Sequence, residues 1–380
     1  MQKRIAPLLL CLLLTGCLSR GDVADNTYVL SFGIERGDTF AYRIVLLAAM
    51  PEAGAEEGAS MKTEVLSAEA RTLFEAIETV NAGLPLTLRF SRTSLILLSE
   101  PLAREGEIKE LLDFSLGALD IHSNVRIMVA DGPLRHVYEG LKSDADPSFS
   151  KTMKNIGTLA EQSGTLIDAR CRTVREALGS ETFDLVLPYL GVNGSDPKPD
   201  IVVGEVYPML GGALAEETAR GTTVIGSAVF DGARMVGTLS GRHTLLCGMV
   251  RGEFSEGGLT FYEPSVGTLS VRVRKRKRPS VSVGNGKATV TVYLDVTPEY
   301  PLSALASSDA LEPFLKERIR KELEDTFAAL QKRNADAMLL GTRELLNYPF
   351  GGEEGWKERY RSLEASFDVQ VRLLHPGGAS

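Results

Sequence analysis

"LRFSRTSLILLSEPLAREGEIKELLDF", Leu88 to Phe114, changes its hydrophobic period partway along, and that change decides the fold class. Leu86, Leu88 and Phe90 alternate as a half-buried strand does, and Ser94 to Leu98 is a denser run that suits a strand buried on both faces. From Glu105 to Leu119 the period becomes helical, with Ile108, Leu111, Leu112 and Leu116 on one face. Buried strand followed by amphipathic helix predicts an α/β unit.

The flanking sequence continues this pattern. Upstream, Tyr28 to Ile34 and Phe40 to Leu47 have strand composition. Ser67 is then read as opening a helix with Leu73, Phe74, Ile77 and Val80 at helical spacing. Downstream, Val125, Ile127 and Val129 alternate, "ADGP" at Ala130 to Pro133 ends the strand, and Leu134 to Leu141 reads as helix. A polar helical stretch from Pro147 to Gly179 closes the unit. "GVNGSDPKPD", Gly191 to Asp200, is rich in turn residues and serves as a linker. Thr222 to Phe230 and Ala233 to Leu239 flank Asp231-Gly232, and a two-residue Asp-Gly loop matches the twist of paired antiparallel strands, so a hairpin is expected.

The character changes again near Glu263 to Gly267. Val281 to Val283, "GNG" and Ala288 to Val296 read as a second hairpin. Asp309 is placed to cap a long helix reaching about Asn334, with Leu311, Phe314, Leu315, Ile319, Leu323, Phe327 and Leu330 as its apolar stripe. Phe367 to Leu373 is a last alternating strand. The expected fold class is mixed α/β and α+β in three serial units. These are an N-terminal α/β domain over 17–190, a small β-rich middle domain over 191–265, and a C-terminal sheet packed on a long helix over 266–380. A leader over 1–16 precedes them.

The leader sets the compartment. Lys3 and Arg4 precede an apolar run from Ile5 to Leu14, half the length of a membrane span, and small residues follow it. That is the layout of a secretory signal peptide. Leu14-Thr15-Gly16-Cys17 resembles a bacterial lipobox, in which cleavage falls before the cysteine and its thiol carries diacylglycerol. Cys17 is therefore the expected lipidation site, and two or more acyl chains hold a protein firmly on a bilayer. No second long apolar run is present, so the expectation is an anchored chain rather than a spanning one.

Composition narrows the function. With 380 residues, 43% hydrophobic and 24% charged, the chain has material for two to three globular domains. Its formal charge is −8, and loss of Lys3 and Arg4 makes it more negative, which argues against nucleic-acid binding. Cys171 and Cys247 are the cysteines beyond Cys17. They are far apart and lack CxxC spacing, so a disulfide and two buried thiols are both open.

A search for chemistry finds no assembled motif. Gly286-Lys287 runs into Ala288 and lacks the upstream glycine of a phosphate-binding loop. In Gly237-Thr238-Leu239-Ser240-Gly241 the serine falls one place late for a nucleophile elbow. His122, His136, His243 and His375 have no zinc spacing. Asp144, Asp146 and Ser148 hint at a calcium loop, but Phe149 and Asn155 stand where glycine and glutamate belong. No catalytic, cofactor or metal residues are expected. "RVRKRKR", Arg272 to Arg278, suits an edge strand guarded by its charges and ended by Pro279; contact with anionic headgroups is the alternative.

Cys17, Asp22, Gly33-Ile34-Glu35, "FEAIETV" (Phe74 to Val80), "LRFSRTSLILLSEPLAREGEIKELLDF", "VADG" (Val129 to Gly132), "GSAVFDGARMVGTLSG" (Gly226 to Gly241), "QKRNADAMLLG" (Gln331 to Gly341) and Trp356 occur in one order along the chain. In that order the sequence resembles the Ger(x)C family, the C subunits of bacterial spore germinant receptors. The resemblance implies a non-enzymatic lipoprotein on the outer face of the spore inner membrane. Its implied partners are the A and B membrane subunits of the receptor and membrane lipid, with no cofactor. The competing expectation is a lipid-anchored solute-binding protein. Such proteins have two similar lobes around a cleft, whereas this chain reads as unlike units in series.

Overall fold

The computed structural model describes residues 26–51, 61–119, 121–141, 164, 166–192, 199–201, 203, 222–263, 267–299, 309–347 and 354–374. Cys17 and the leader, Asp144, Asp146, Ser148, His375, and most of the 191–200 linker and the 147–179 stretch lie outside them.

Two mixed sheets organise the described residues. In the first, β1 (Asn26–Arg36), β5 (Leu95–Ser99), β6 (Arg126–Ala130) and β7 (Val186–Val192) run parallel. β2 (Tyr42–Pro51) and β3 (Met61–Ala70) extend it antiparallel beyond β1, while short β4 (Thr87–Arg89) pairs with the start of β1. β8 (Thr222–Asp231) and β9 (Arg234–Ser240) extend it antiparallel beyond β7. Every residue of β5 is buried, as its unbroken apolar run requires of a central parallel strand.

Helices cover both faces of this sheet. Ile96 and Leu98 of β5 face one core, which α1 (Leu73–Ala82), α2 (Glu100–Glu105), α3 (Ile108–Gly117) and α5 (Cys171–Leu178) cover. Leu95 and Leu97 face the opposite core, which α4 (Leu134–Leu141) covers with Leu134, Val137 and Tyr138.

The second sheet contains β10 (Glu256–Glu263), β11 (Gly267–Lys275), β12 (Ser280–Gly284), β13 (Lys287–Pro298) and β14 (Glu364–Leu373). β14 runs parallel to β13 along nearly its whole length. β12 and β13 close on Asn285 and Gly286, both left-handed (φ 53° and 72°), as a two-residue hairpin with the matching twist requires. The long α7 (Leu311–Gln331) lays Leu315, Ile319, Leu323 and Leu330 on this sheet. Between the two sheets lies α6 (Gly241–Arg251), which packs on β8 and β9 on one side and on β13 and α7 on the other. Its residues from His243 to Val250 are all buried, which explains why it lacks a polar face. Short α8 (Leu340–Asn347) and α9 (Trp356–Arg361) complete this part.

The fold class is the mixed one expected, with the C-terminal sheet packed on a long helix, but several elements differ. Met61–Ala70, whose second half was read as the start of a helix, is a strand in ten-residue register with β2. The helix begins after Thr72, whose hydroxyl accepts the Glu75 N–H, and strand pairing overrides the helical propensity of the "SAEA" run. Phe74, placed on the apolar stripe, is exposed. The helix expected over 105–119 is broken at Gly106, where φ is +95° and its N–H closes α2. Asp309 does not cap α7, because Ala310 occupies the cap position. Of the polar stretch closing the first unit, residues 166–170 are not helical.

Two corrections concern sheet membership. The hairpin of the 191–265 unit has no sheet of its own: β8 pairs with β7 and thereby joins the first sheet, while β10 belongs to the second. Its two-residue loop is Gly232-Ala233, since Asp231 pairs with Arg234. The basic run is not an edge strand, because β11 is hydrogen-bonded on both sides, to β10 and to β13.

Cys171 and Cys247 are free, buried, and assigned to different cores. Burial pushes each thiol up to about 12, so both behave as small apolar groups. Among the described residues no helix is long and apolar enough to cross a membrane.

Candidate functional site

Two polar constellations stand out. The first lies at the carboxyl ends of the parallel strands. After β5 the chain enters α2 on one face of the sheet, and after β6 it enters α4 on the opposite face. Diverging connections open a crevice between adjacent strand ends, the usual place for a ligand in such sheets. Here the crevice has a volume of about 510 Å³ and is lined by Glu35, Arg36, Arg43, Glu100, Arg104 and Asp131 among others.

Its arginines are already engaged. Arg43 pairs with Glu35 at 3.3 Å and with Asp38 and Glu69. Arg36 pairs with Glu105 and Glu107, and Arg104 with Glu100 and Asp200. The Glu35 carboxylate also accepts the Leu134 N–H at 2.8 Å, and Tyr189 donates to Glu100. Burial, and then the neighbouring Glu100, raise the Asp131 carboxyl above its ordinary range. These ion pairs stitch the strand ends together, and no activated nucleophile stands among the lining residues named.

The second constellation joins the two sheets, and the sequence reading missed it. Asp184 precedes β7, and Asp231 ends β8 on the first sheet. Asn334 and Asp336 follow α7, and Lys357 lies in α9. The Lys357 ammonium donates to both Asp184 oxygens at 2.6 Å, to the Asn334 carbonyl at 3.1 Å and to Asp231 at 2.6 Å. Asp184 accepts the Asp336 N–H at 2.7 Å, and Asn334 Nδ2 donates to Asp231 at 3.1 Å. Three carboxylates and one lysine thus meet across the boundary, with Asp184 and Asp336 buried.

Asp336 is held by α8, its carboxylate accepting the N–H groups of Leu340 at 3.0 Å and Gly341 at 2.7 Å. Burial nevertheless dominates and raises its carboxyl from 3.8 to about 7. Burial likewise raises Asp184, against the pull of Lys357. Beside them Trp356 and Tyr360 are fully buried, and Tyr360 donates to the Ala335 carbonyl at 3.0 Å. There is no space at Gly341 for a side chain: a Cβ would lie 2.6 Å from Trp356 and 2.8 Å from the Thr182 carbonyl.

The remaining chemistry is structural. Ser240 caps α6, and its hydroxyl lies 2.8 Å from His243 Nδ1. That distance would suit a nucleophile and its base, but both residues are buried, and burial lowers the imidazole to about 4. His122 and His136 are exposed. Among the described residues no three His, Cys, Asp or Glu side chains are arranged to hold a metal ion, and the carboxylates around Lys357 are taken up by its ammonium and by N–H donors. The expected lipidation site, Cys17, lies outside the described residues.

Comparison with known proteins agrees with this layout. Residues 19–192 match the family described as spore germination protein N-terminal domain, and residues 225–377 match spore germination B3/GerAC like, C-terminal. The putative spore germination protein YfkR of Bacillus subtilis (strain 168) is 32% identical over 111 residues, 27% of this chain and 29% of that protein. Spore germination protein KC of the same organism is 26% identical over 203 residues, 50% of this chain and 49% of that protein. The matched segments thus span half or less of these relatives. The crystal structure of the GerBC protein shares the fold, with a TM-score of 0.52 at 12% identity over 90% of this chain and 96% of that one. Both halves of one family's architecture are matched in order from residue 19 to residue 377, and the chain belongs to the Ger(x)C family of spore germination proteins.

Proposed function

We propose that this chain is the lipid-anchored, non-enzymatic C subunit of a nutrient germinant receptor. It is held through Cys17 on the outer face of the spore inner membrane and works with A and B membrane subunits. The observation that carries this reading is the ordered match of both family domains over 19–192 and 225–377. The geometry supports it in two ways. The sheets are locked together by α6 and the Lys357 network, which suits a rigid interaction body. The Ser240–His243 pair is buried, and the arginines lining the strand-end crevice are held in ion pairs.

The anchor has a direct test. Cys17 is the sole thiol offered for lipid attachment in the lipobox reading, so Cys17→Ala should abolish incorporation of labelled fatty acid. The chain should then remain uncleaved or leave the membrane fraction. Full labelling of the Cys17→Ala form would contradict the anchor. For the partners, gentle detergent extraction of spore membranes and purification through a tag on this chain should bring down two multispanning subunits. Recovery with a permease and an ATPase instead would favour a solute-binding role.

A further inference from the structure

The basic run loses its first explanation once β11 is seen to be an interior strand, because charges there guard no edge. Within the strand the charges are accounted for. Leu269, Val271 and Val273 point into the core, and the alternating Arg272 and Arg274 face outward. Arg272 meets Glu299 at 2.9 Å and Arg274 meets Glu256 at 3.3 Å, while Lys275 donates to the Gly252 carbonyl at 2.9 Å.

The turn that follows is different. Arg276, Lys277 and Arg278 are all exposed. Among the described residues no carboxylate lies within ion-pair distance of any of them. The turn is nonetheless held in place. The Arg276 N–H donates to the Tyr293 carbonyl at 3.0 Å. The Lys277 ammonium sits 3.7 Å from the centre of the Tyr293 ring, with the Arg276 guanidinium 5.7 Å from it. Pro279 packs close to Gly252. A chain of formal charge −8 therefore presents three adjacent, uncompensated cations on one exposed turn.

We propose that the turn Arg276–Lys277–Arg278 is a contact surface for anionic lipid headgroups. A bilayer is flat and lies on one side of the molecule, so a local cationic tip engages it while the acidic remainder faces away. A long nucleic acid would instead meet the repulsion of the whole acidic chain. The inference goes beyond the receptor role and does not rest on the anchor. It gives the anchor a complement: the nine residues from Cys17 to Asn26 span at most about 30 Å, which limits distance from a membrane without choosing the face that meets it. The turn makes that choice.

The test uses the chain from Leu18 to Ser380, which lacks the anchor and retains both sheets and every described helix. It is sedimented with vesicles of phosphatidylcholine containing one-third phosphatidylglycerol, and with phosphatidylcholine alone. Binding should require the anionic lipid and weaken with salt. Each charge near an anionic surface is worth about a fivefold change in binding, so the triple variant Arg276→Gln, Lys277→Gln, Arg278→Gln should lose about a hundredfold. A control replacing the exposed Lys109, Arg135 and Lys332 by Gln changes net charge equally and should bind nearly as the parent. All six positions are exposed, and unchanged thermal melting verifies that each variant is folded. Undiminished binding by the triple variant, or equal loss in the control, overturns the proposal. So does binding to duplex DNA as tight as to anionic vesicles, or competition by inorganic phosphate beyond that of chloride at equal ionic strength.

Discussion

Asp336 keeps its carboxyl group where water does not reach, and its stability linkage follows from that. The native carboxyl titrates at about 7 and the unfolded one near 3.8. Between those values the native state retains a proton that the unfolded state has lost, so stability falls as pH rises. The contribution is fully present below about 4 and is lost as pH rises to and through about 7, at up to about 1.4 kcal/mol per pH unit. Asp336→Asn fixes the neutral form. Urea unfolding between pH 5 and pH 7.5 should show a smaller decline in the variant than in the parent, whatever its absolute stability. Asp184, also raised by burial, remains in both, so only the difference reports on Asp336. Equal slopes would contradict the assignment. None of this was legible locally: Lys357 finds Asp184 173 positions away, and periodicity reads only neighbours. "QKRNADAMLLG" and Trp356 were marked by resemblance, and the structure supplies their physical role as the walls of this junction.

At the scale of elements, strands with clear alternation and helices with clear stripes were readable, because burial imposes those periods. The errors have particular causes. Met61–Ala70 was misread because its alanines and glutamates favour helix, while its ten-residue register with β2 decides otherwise. The basic run was misread because edge and interior strands differ in their partners rather than in their own residues; β10 and β13 on either side of β11 cannot be inferred from "RVRKRKR". The docking of α8 offers a test at this scale. Gly341 lets the helix rest on Trp356 and on the Thr182 carbonyl ahead of β7. Gly341→Ala puts a methyl into that contact, and overpacking should destabilise the protein by about 1–3 kcal/mol in denaturant unfolding. Unchanged stability would mean that α8 is not seated on Trp356 and the Thr182 carbonyl as described.

The whole molecule shows what serial reading leaves out. The segment 191–265 divides by sheet membership, its hairpin going to the first sheet and β10 to the second, with α6 buried between them. Composition shifts mark where a chain turns and not which sheet receives it. The family was legible because its segments recur in order from Cys17 to Trp356, and the domain matches over 19–192 and 225–377 agree. The central claim, that this chain is a receptor subunit required for nutrient sensing, is tested most directly by deleting its gene in a strain where this receptor is the only one present. The spores should form normally, resist heat and stay dormant when given the cognate nutrient, yet germinate with a trigger that bypasses receptors. Normal nutrient germination in that strain would contradict the account.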